Sequence, residues 1–369
     1  MRIIALLICG ATAAAAPNPD SYDWRLPPAF PPPFAPADNS MSDAKVALGC
    51  RLFFEPRLSV TGEHSCASCH RPELAFTDGR ARAHGATGIV LARGAMGLAN
   101  VAYSPALTWV DKKIVTLEAQ MEQPLFSEHP PEMGLKRDDA ALRSLLSQDA
   151  AYARAFAAAF PDEPNAMSMQ NLIRALASFE RTLISGRSAF DRYIYDDARA
   201  ALSATAKHGM ELFFSQRTGC AACHSGLNFS GPIVHRSTPN AAAAFANNGL
   251  DLTDAVRDAG FDHGVMDVTH QEDGRSRFRV PTLRNIELTA PYMHDGRLAT
   301  LEAVIDHYIS AGQAVSNERA DPVRPSIRRF DLTTAEQQAL IEFLKSLTDV
   351  EFVSRDWSAC GDSASIRSP

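Results

Sequence analysis

The chain has 369 residues, carries a formal net charge of −7 and shows no basic stripe, which argues against a nucleic-acid partner. Hydrophobic residues make up 46% of it and charged residues 21%, the balance of an ordinary globular protein. Its length, less a short leader, suggests two domains.

In chain order, residues 1–16 (MRIIALLICGATAAAA) read as a secretory signal: one basic residue, a short apolar run and an Ala-rich end with cleavage near Ala14 or Ala16. The run is too short to span a bilayer. A lipoprotein reading at Cys9 is weakened by the bulky Ile8 before it. No later stretch is long and apolar enough to cross a membrane, so a soluble mature protein is expected. Residues 17–40 form a leader, Pro-rich over 27–38, expected to lie extended on the surface. The rest divides into an N-terminal domain, 41–190, and a C-terminal domain with tail, 191–369.

Each domain contains C-x-x-C-H: Cys66-Ala67-Ser68-Cys69-His70 and Cys220-Ala221-Ala222-Cys223-His224. This is the attachment signal of a c-type haem, in which two thiols bond the porphyrin and the next His reaches the iron. C-x-x-C also serves redox pairs and zinc sites. Two complete matches in an exported chain favour two covalent haems, and haem attachment outside the cytoplasm makes the periplasm the expected address. Cys50 and Cys360 remain once Cys9 leaves with the signal. An oxidising compartment favours a disulfide between them over two free thiols.

An internal repeat surrounds the motifs: Gly49-x-x-Leu52-Phe53-Phe54 precedes the first, Gly209-x-x-Leu212-Phe213-Phe214 the second. Both sit on helical patterns. Leu172, Leu176, Phe179 and Leu183 keep helical spacing, with Gly186 as the expected stop. Residues 150–159 are Ala-rich helix. Thr333-x-x-Glu336 is a capping box for a last helix carrying Leu340, Ile341, Leu344 and Leu347. Strand signals are few. The expected fold is mainly α, two cytochrome-c-like haem domains packed together.

By their motifs these residues resemble the di-haem cytochrome c peroxidase superfamily, and within it the MauG-like enzymes. The resemblance covers nearly all of the mature chain. It is carried by LGCRLFFEPRLS, CASCHRPELAFTDGR, LANVAY, LEAQMEQPLF, PPEMG, VPTLRNIELTAPYMHDGR and LEAVIDHY. The leader WRLPPAFPPPFAPADNSMS and the block PLFSEHPPEMG are most similar to the MbnH-type enzymes, which act on a partner protein encoded beside them.

The resemblance implies a distal ligand for the second haem fourteen residues after His294, which is Tyr308. A Met there would mark a plain peroxidase. Tyrosinate is a hard anionic ligand that stabilises high iron oxidation states. Leu301, Val304, Ile305 and Tyr308 make one apolar stripe, so a core tyrosine is the plainer alternative. His307, the local competitor, lies about 100° round the helix. At the first haem the resemblance places Gln120, Pro124 and the acid–base group Glu132. The interval from Gln120 to Glu132 is two residues longer than in better-known relatives, which keeps Glu128 a candidate. His84 reads as a surface residue, leaving the first haem five-coordinate and open to peroxide. Trp109 falls where relatives carry a tryptophan between the haems; core packing is its alternative. The carbonyls of Thr289 and Pro291 match an inter-haem calcium site in which Gly94 replaces the usual Asn. His294 and Asp295 read as residues that orient their loop.

The implied function is a periplasmic enzyme that uses hydrogen peroxide to reach a bis-Fe(IV)-type state. That state oxidises a tryptophan of an MbnP-like partner protein to kynurenine. A peroxidase fed by a small redox protein and a non-catalytic electron carrier are the alternatives, the latter disfavoured by Gln120 and Glu132.

Overall fold

The structure is a computed structural model that describes residues 22–250, 262–310, 327–357 and 360. The expected signal peptide, the first leader residues and the end of the tail lie outside these. Among the described residues no helix is long and apolar enough to cross a membrane.

The first half is built on α1 (Asp43–Phe53), α2 (Leu117–Phe126) and α3 (Met169–Glu180). Ser42, Thr116 and Ser168 cap their N-termini, each side chain accepting a backbone N–H of the first turn. The Ala-rich stretch is the helix Ala150–Ala159. The second half is built on α4 (Ala204–Phe214), α5 (Leu301–Ile309) and α6 (Thr334–Lys345). The Thr333–Glu336 capping box of α6 is formed. The only described sheet is two-stranded and antiparallel, Phe245 opposite Arg279 and Ala246 opposite Phe278. The protein is mainly α, as its sequence predicts.

The repeat glycines set how each half is packed. A Cβ on Gly49 would stand 1.9 Å from the carbonyl oxygen of Ala175, and one on Gly209 would stand 1.8 Å from that of Ala339. Only glycine lets α1 cross α3, and α4 cross α6, at this distance. The partner helices repeat too: Phe179 and Phe343 each stand 2.9 Å from the missing Cβ. The sequence repeat is therefore half of a two-helix crossing used twice.

The buried apolar residues form two clusters. One joins Phe53, Phe76, Met121 and Phe179, with Phe352 and Trp357 of the tail; the other joins Phe213, Phe229, Ile305 and Phe343. The tail thus packs on the first half, and a Cys50–Cys360 disulfide ties it to α1.

Three expectations are corrected. Gly186 does not stop α3, which ends at Glu180. Leu183 is buried beyond the helix, in a segment anchored by Asn100, whose side chain exchanges 2.7 Å hydrogen bonds with the backbone of Ser185. Gly186 instead makes room for the leader, since a Cβ there would stand 2.6 Å from the Phe30 ring. The leader is accordingly no surface strand: Phe30 is 6% exposed and lies under the Arg284 guanidinium. Pro31 accepts from Tyr103 Oη of the first half, and Pro32 from the Arg236 amide of the second. The apolar Phe30 outweighed the prolines around it. Finally, α6 is followed by one more helical turn, Val350–Val353, in which Asp349 caps the N-terminus.

Candidate active site: two attachment loops and the junction between them

Cys66–Cys69 is one turn of helix, closed by a reciprocal Ser65–Ser68 capping box. His70 Nδ1 lies 2.8 Å from the carbonyl oxygen of Phe76. That carbonyl fixes the Nδ1–H tautomer, which makes Nε2 the nitrogen that would bind a metal. The second loop does the same with Cys220–Ala222 and His224, whose Nδ1 lies 2.9 Å from the Phe229 carbonyl. Both phenylalanines are held at positive φ, 63° and 49°, a conformation a bulky residue rarely adopts. Burial pushes both imidazoles down from the usual histidine value, so they are neutral and ready to ligate. Burial also pushes the thiols of Cys66 and Cys69 up, to about 12 and about 11. None of the four cysteines of the loops is in a disulfide.

The first loop opens on a cavity of about 450 Å³ whose wall includes His70, Trp109, Gln120, Pro124 and Glu132. Gln120 and Pro124 come from α2. Glu132 comes from the loop that folds back on the end of α2, where Met133 N donates to Pro124 O at 2.9 Å. On its other side Ala86 N donates to Glu132 O at 2.6 Å. Gly85 permits that approach, since a Cβ would stand 2.3 Å from the Pro131 carbonyl. Burial raises the Glu132 carboxyl above the usual carboxylate range. Glu128 is exposed and lies outside the cavity wall. His84, expected on the surface, is half-buried in the wall, in a bridge to Val90 that turns the 83–91 segment inward.

Trp109 lines both this cavity and a smaller one, of about 90 Å³, walled by residues of both halves; residues 94–97 and Arg279 also line both. Its Nε1 donates to Gly94 O at 3.0 Å, and its carbonyl accepts from Arg279 N at 2.8 Å. Gly94, Thr289 and Pro291 all line the smaller cavity. His294 stacks on Phe278 at 3.7 Å and accepts from Gly94 N at 2.8 Å, while Asp295 pairs with Arg297. The PYMHDG loop is thus held across the junction.

On α5, His307 Nε2 is bonded at 2.8 Å to the Asn248 carbonyl, which occupies the nitrogen that would bind a metal. Burial pushes the Tyr308 phenol up to about 12; the Asn248 side chain pulls the other way, and the Cys220 and Cys223 thiols add to the rise. Tyr308 is half-buried beside His307, its ring edge-on to that of His307 with centroids 5.4 Å apart.

Two wall residues were not singled out from the sequence. Glu180, the last residue of α3, is 5% exposed, and burial raises its carboxyl to about 8. Arg279 is 9% exposed with no hydrogen-bond partner at Nε, and burial lowers it to about 10. Its Nη groups reach only Met96 Sδ and Ser104 Oγ. A buried guanidinium without a carboxylate in the wall of an attachment cavity fits an anionic haem edge, a propionate. An RV dipeptide before a proline gave no sign of this in the sequence.

Two attachment loops, each with a buried imidazole, one beside a mostly apolar cavity that carries Gln120 and Glu132, define a di-haem c-type protein. The model for the di-haem cytochrome c peroxidase family matches residues 43–199. The chain is 35% identical to the methylamine utilization protein MauG of Methylorubrum extorquens over 93% of this chain and 90% of that one. It is 32% identical to the cytochrome-c peroxidase IdrP1 of Denitromonas iodatirespirans over 96% of each. A solved structure titled as a MauG-like protein associated with microbial copper homeostasis superposes with a TM-score of 0.85 at 39% identity, covering 91% of this chain and 98% of that one. The chain belongs to the di-haem cytochrome c peroxidase family, on its MauG-like side. It is an oxidoreductase of the peroxidase type, and the family implies two c-type haems.

Proposed function

We propose that this protein uses hydrogen peroxide to oxidise a tryptophan of a periplasmic partner protein, converting it to kynurenine as MbnH-type enzymes do. The reading is supported by Tyr308, half-buried on α5 fourteen residues after His294, while its neighbour His307 is tied to the Asn248 carbonyl. Peroxide activation and storage of the oxidising equivalents are chemistry the bound haems supply, held through Cys66, Cys69, His70, Cys220, Cys223 and His224. Gln120 binds and orients peroxide in the first cavity. Glu132 takes the proton from one peroxide oxygen and returns it to the other. Trp109, in the wall of both cavities, is the electron route across the junction. Tyr308, were it to lose its proton on binding the iron, would make the second haem a poor acceptor from small cytochromes. Calcium held by the Thr289, Pro291 and Gly94 carbonyls would fasten the junction. Export follows from the signal expected over residues 1–16, and the partner is MbnP-like. The likeness to the copper-homeostasis structure supports this reading over that of a general peroxidase.

The second reading, peroxide reduction with electrons from a small redox protein, is favoured by His84 in the cavity wall and by the relatives named as cytochrome-c peroxidases. One pair of assays separates the two. Incubation with peroxide and a tryptophan-bearing partner should give the kynurenine mass change in the partner, absent with Tyr308→Phe. Rapid turnover with reduced cytochrome c and an unmodified partner would overturn the proposal.

A further inference from the structure

Asp78 is a buried carboxyl with one oxygen left unpartnered. It is 6% exposed, in the loop that leaves the first attachment motif, and lines the small cavity between the halves. Its Oδ1 accepts from Arg80 N at 3.0 Å, whereas its Oδ2 has no hydrogen-bond partner in the structure. A buried carboxylate oxygen left this way is strongly disfavoured unless a positive group meets it. The three arginines of the same wall do not meet that oxygen: Arg80 is exposed and gives Asp78 only its backbone N–H. Arg284 is engaged by Asp191 through two bonds, of 2.8 and 3.0 Å, and Arg279 makes no bond to Asp78 although its own Nε is unpartnered. A wall carrying an unpartnered carboxyl oxygen and an unpartnered guanidinium nitrogen that do not meet is set for two ligands of opposite sign.

The same cavity is lined by Gly94, Thr289 and Pro291, the residues whose carbonyls the calcium reading invokes. The segments converge closely: a Cβ on Gly97 would stand 3.3 Å from Ala75 O, 3.6 Å from Thr77 Cγ2 and 4.0 Å from Thr289 Cγ2. Gly94 brings no side-chain oxygen, and its carbonyl already accepts from Trp109. Among the described residues no group of three His, Cys, Asp or Glu side chains gathers to hold a metal. A single carboxylate among carbonyls and water is the donor set of a hard cation.

We propose that Asp78 is the charged ligand of a calcium ion at the junction, replacing the side-chain ligand that Gly94 cannot provide. This rests on the calcium reading above and goes beyond it by naming the residue on which affinity depends. Because Trp109 donates to Gly94 O, an ion bound there also fixes the indole that lines both cavities.

The test uses the haem-loaded full-length protein, stripped with a chelator and titrated calorimetrically with calcium chloride alone. Wild type should bind one calcium per chain. Asp78→Asn, with unchanged haem absorption and circular dichroism, should bind it more weakly by at least the roughly 10–100-fold that losing an outer-shell partner alone causes. If Asp78→Asn binds as tightly as wild type, Asp78 is not the ligand and the carbonyl site stands. If wild type binds none, the calcium reading fails and this inference with it. Should Asp78→Asn not fold, the calcium-minus-stripped infrared difference spectrum of wild type decides. A shifted carboxylate pair supports Asp78, and changes confined to amide bands overturn it.

Discussion

Glu180 ends α3 inside the wall of the first cavity, where burial raises its carboxyl from 4.5 to about 8. Arg181 opposes the rise and Glu118 adds to it, but those two are paired with each other, Arg181 donating 2.5 and 2.6 Å bonds to Glu118. Glu180 is thus a neutral acid at pH 7 and adds no charge beside the attachment loop. The sign follows from linkage. A group whose folded value lies above its unfolded value gives stability that is complete below pH 4.5 and is lost as pH rises through about 8. One proton is worth about 1.36 kcal/mol per pH unit. Between about pH 5 and pH 8, wild type should lose a few kcal/mol, on the order of 3, relative to Glu180→Gln, which has no proton to release. Gln brings an amide that Glu lacks, so the two proteins differ by a constant as well. The pH dependence of the difference is therefore the quantity to read. Guanidinium unfolding of both haem-loaded proteins across this range, followed by circular dichroism, gives it directly. Superimposable pH dependences would refute the burial argument and with it the neutral acid.

Three further outcomes are expected. Glu132→Gln should slow the reaction with peroxide about 10²–10⁴-fold. Because burial raises the Glu132 carboxyl, the wild-type rate should climb with pH through a value above the ordinary carboxylate range, and the variant should lack that limb in stopped-flow traces. Gly209→Ala places a Cβ 1.8 Å from the Ala339 carbonyl, so it should destabilise by about 2 kcal/mol or more and lower the thermal midpoint by several degrees. Trp109→Phe removes the hydrogen bond to Gly94 and the indole at the junction. Resting haem spectra should stay as in wild type, while the two haems should no longer respond to peroxide together in rapid-freeze EPR.

What the sequence made legible was whatever depends on short spacing. The two C-x-x-C-H turns, the capping box at Thr333 and the apolar stripe of Leu301, Val304 and Ile305 each involve residues a few positions apart, where helix geometry alone decides. The glycine repeat was visible as well, but its reason was not. Ala175 and Ala339 lie on other helices more than a hundred residues away, and only the crossing brings them to Gly49 and Gly209. Long-range burial accounts for the remaining differences. Phe30 sits among prolines that suggest a solvated strand, yet it fills the space left by Gly186. His84 was read as a surface residue because nothing near it in sequence shows that Ala86 pairs with Glu132. Asp78, Glu180 and Arg279 look like ordinary charges in the chain and become informative only once their partners, or the lack of them, are known.

The central claim is that both haems act as one oxidising unit that needs no prior reduction, and stoichiometric hydrogen peroxide tests it most directly. One equivalent is added to the as-isolated diferric protein while visible, near-infrared and EPR spectra are recorded. The account predicts that both ferric signals disappear together, with no porphyrin radical and with a new near-infrared band. No reaction until one haem has first been reduced would contradict it, and would make the protein a reductively activated peroxidase in which Tyr308 does not hold the second iron.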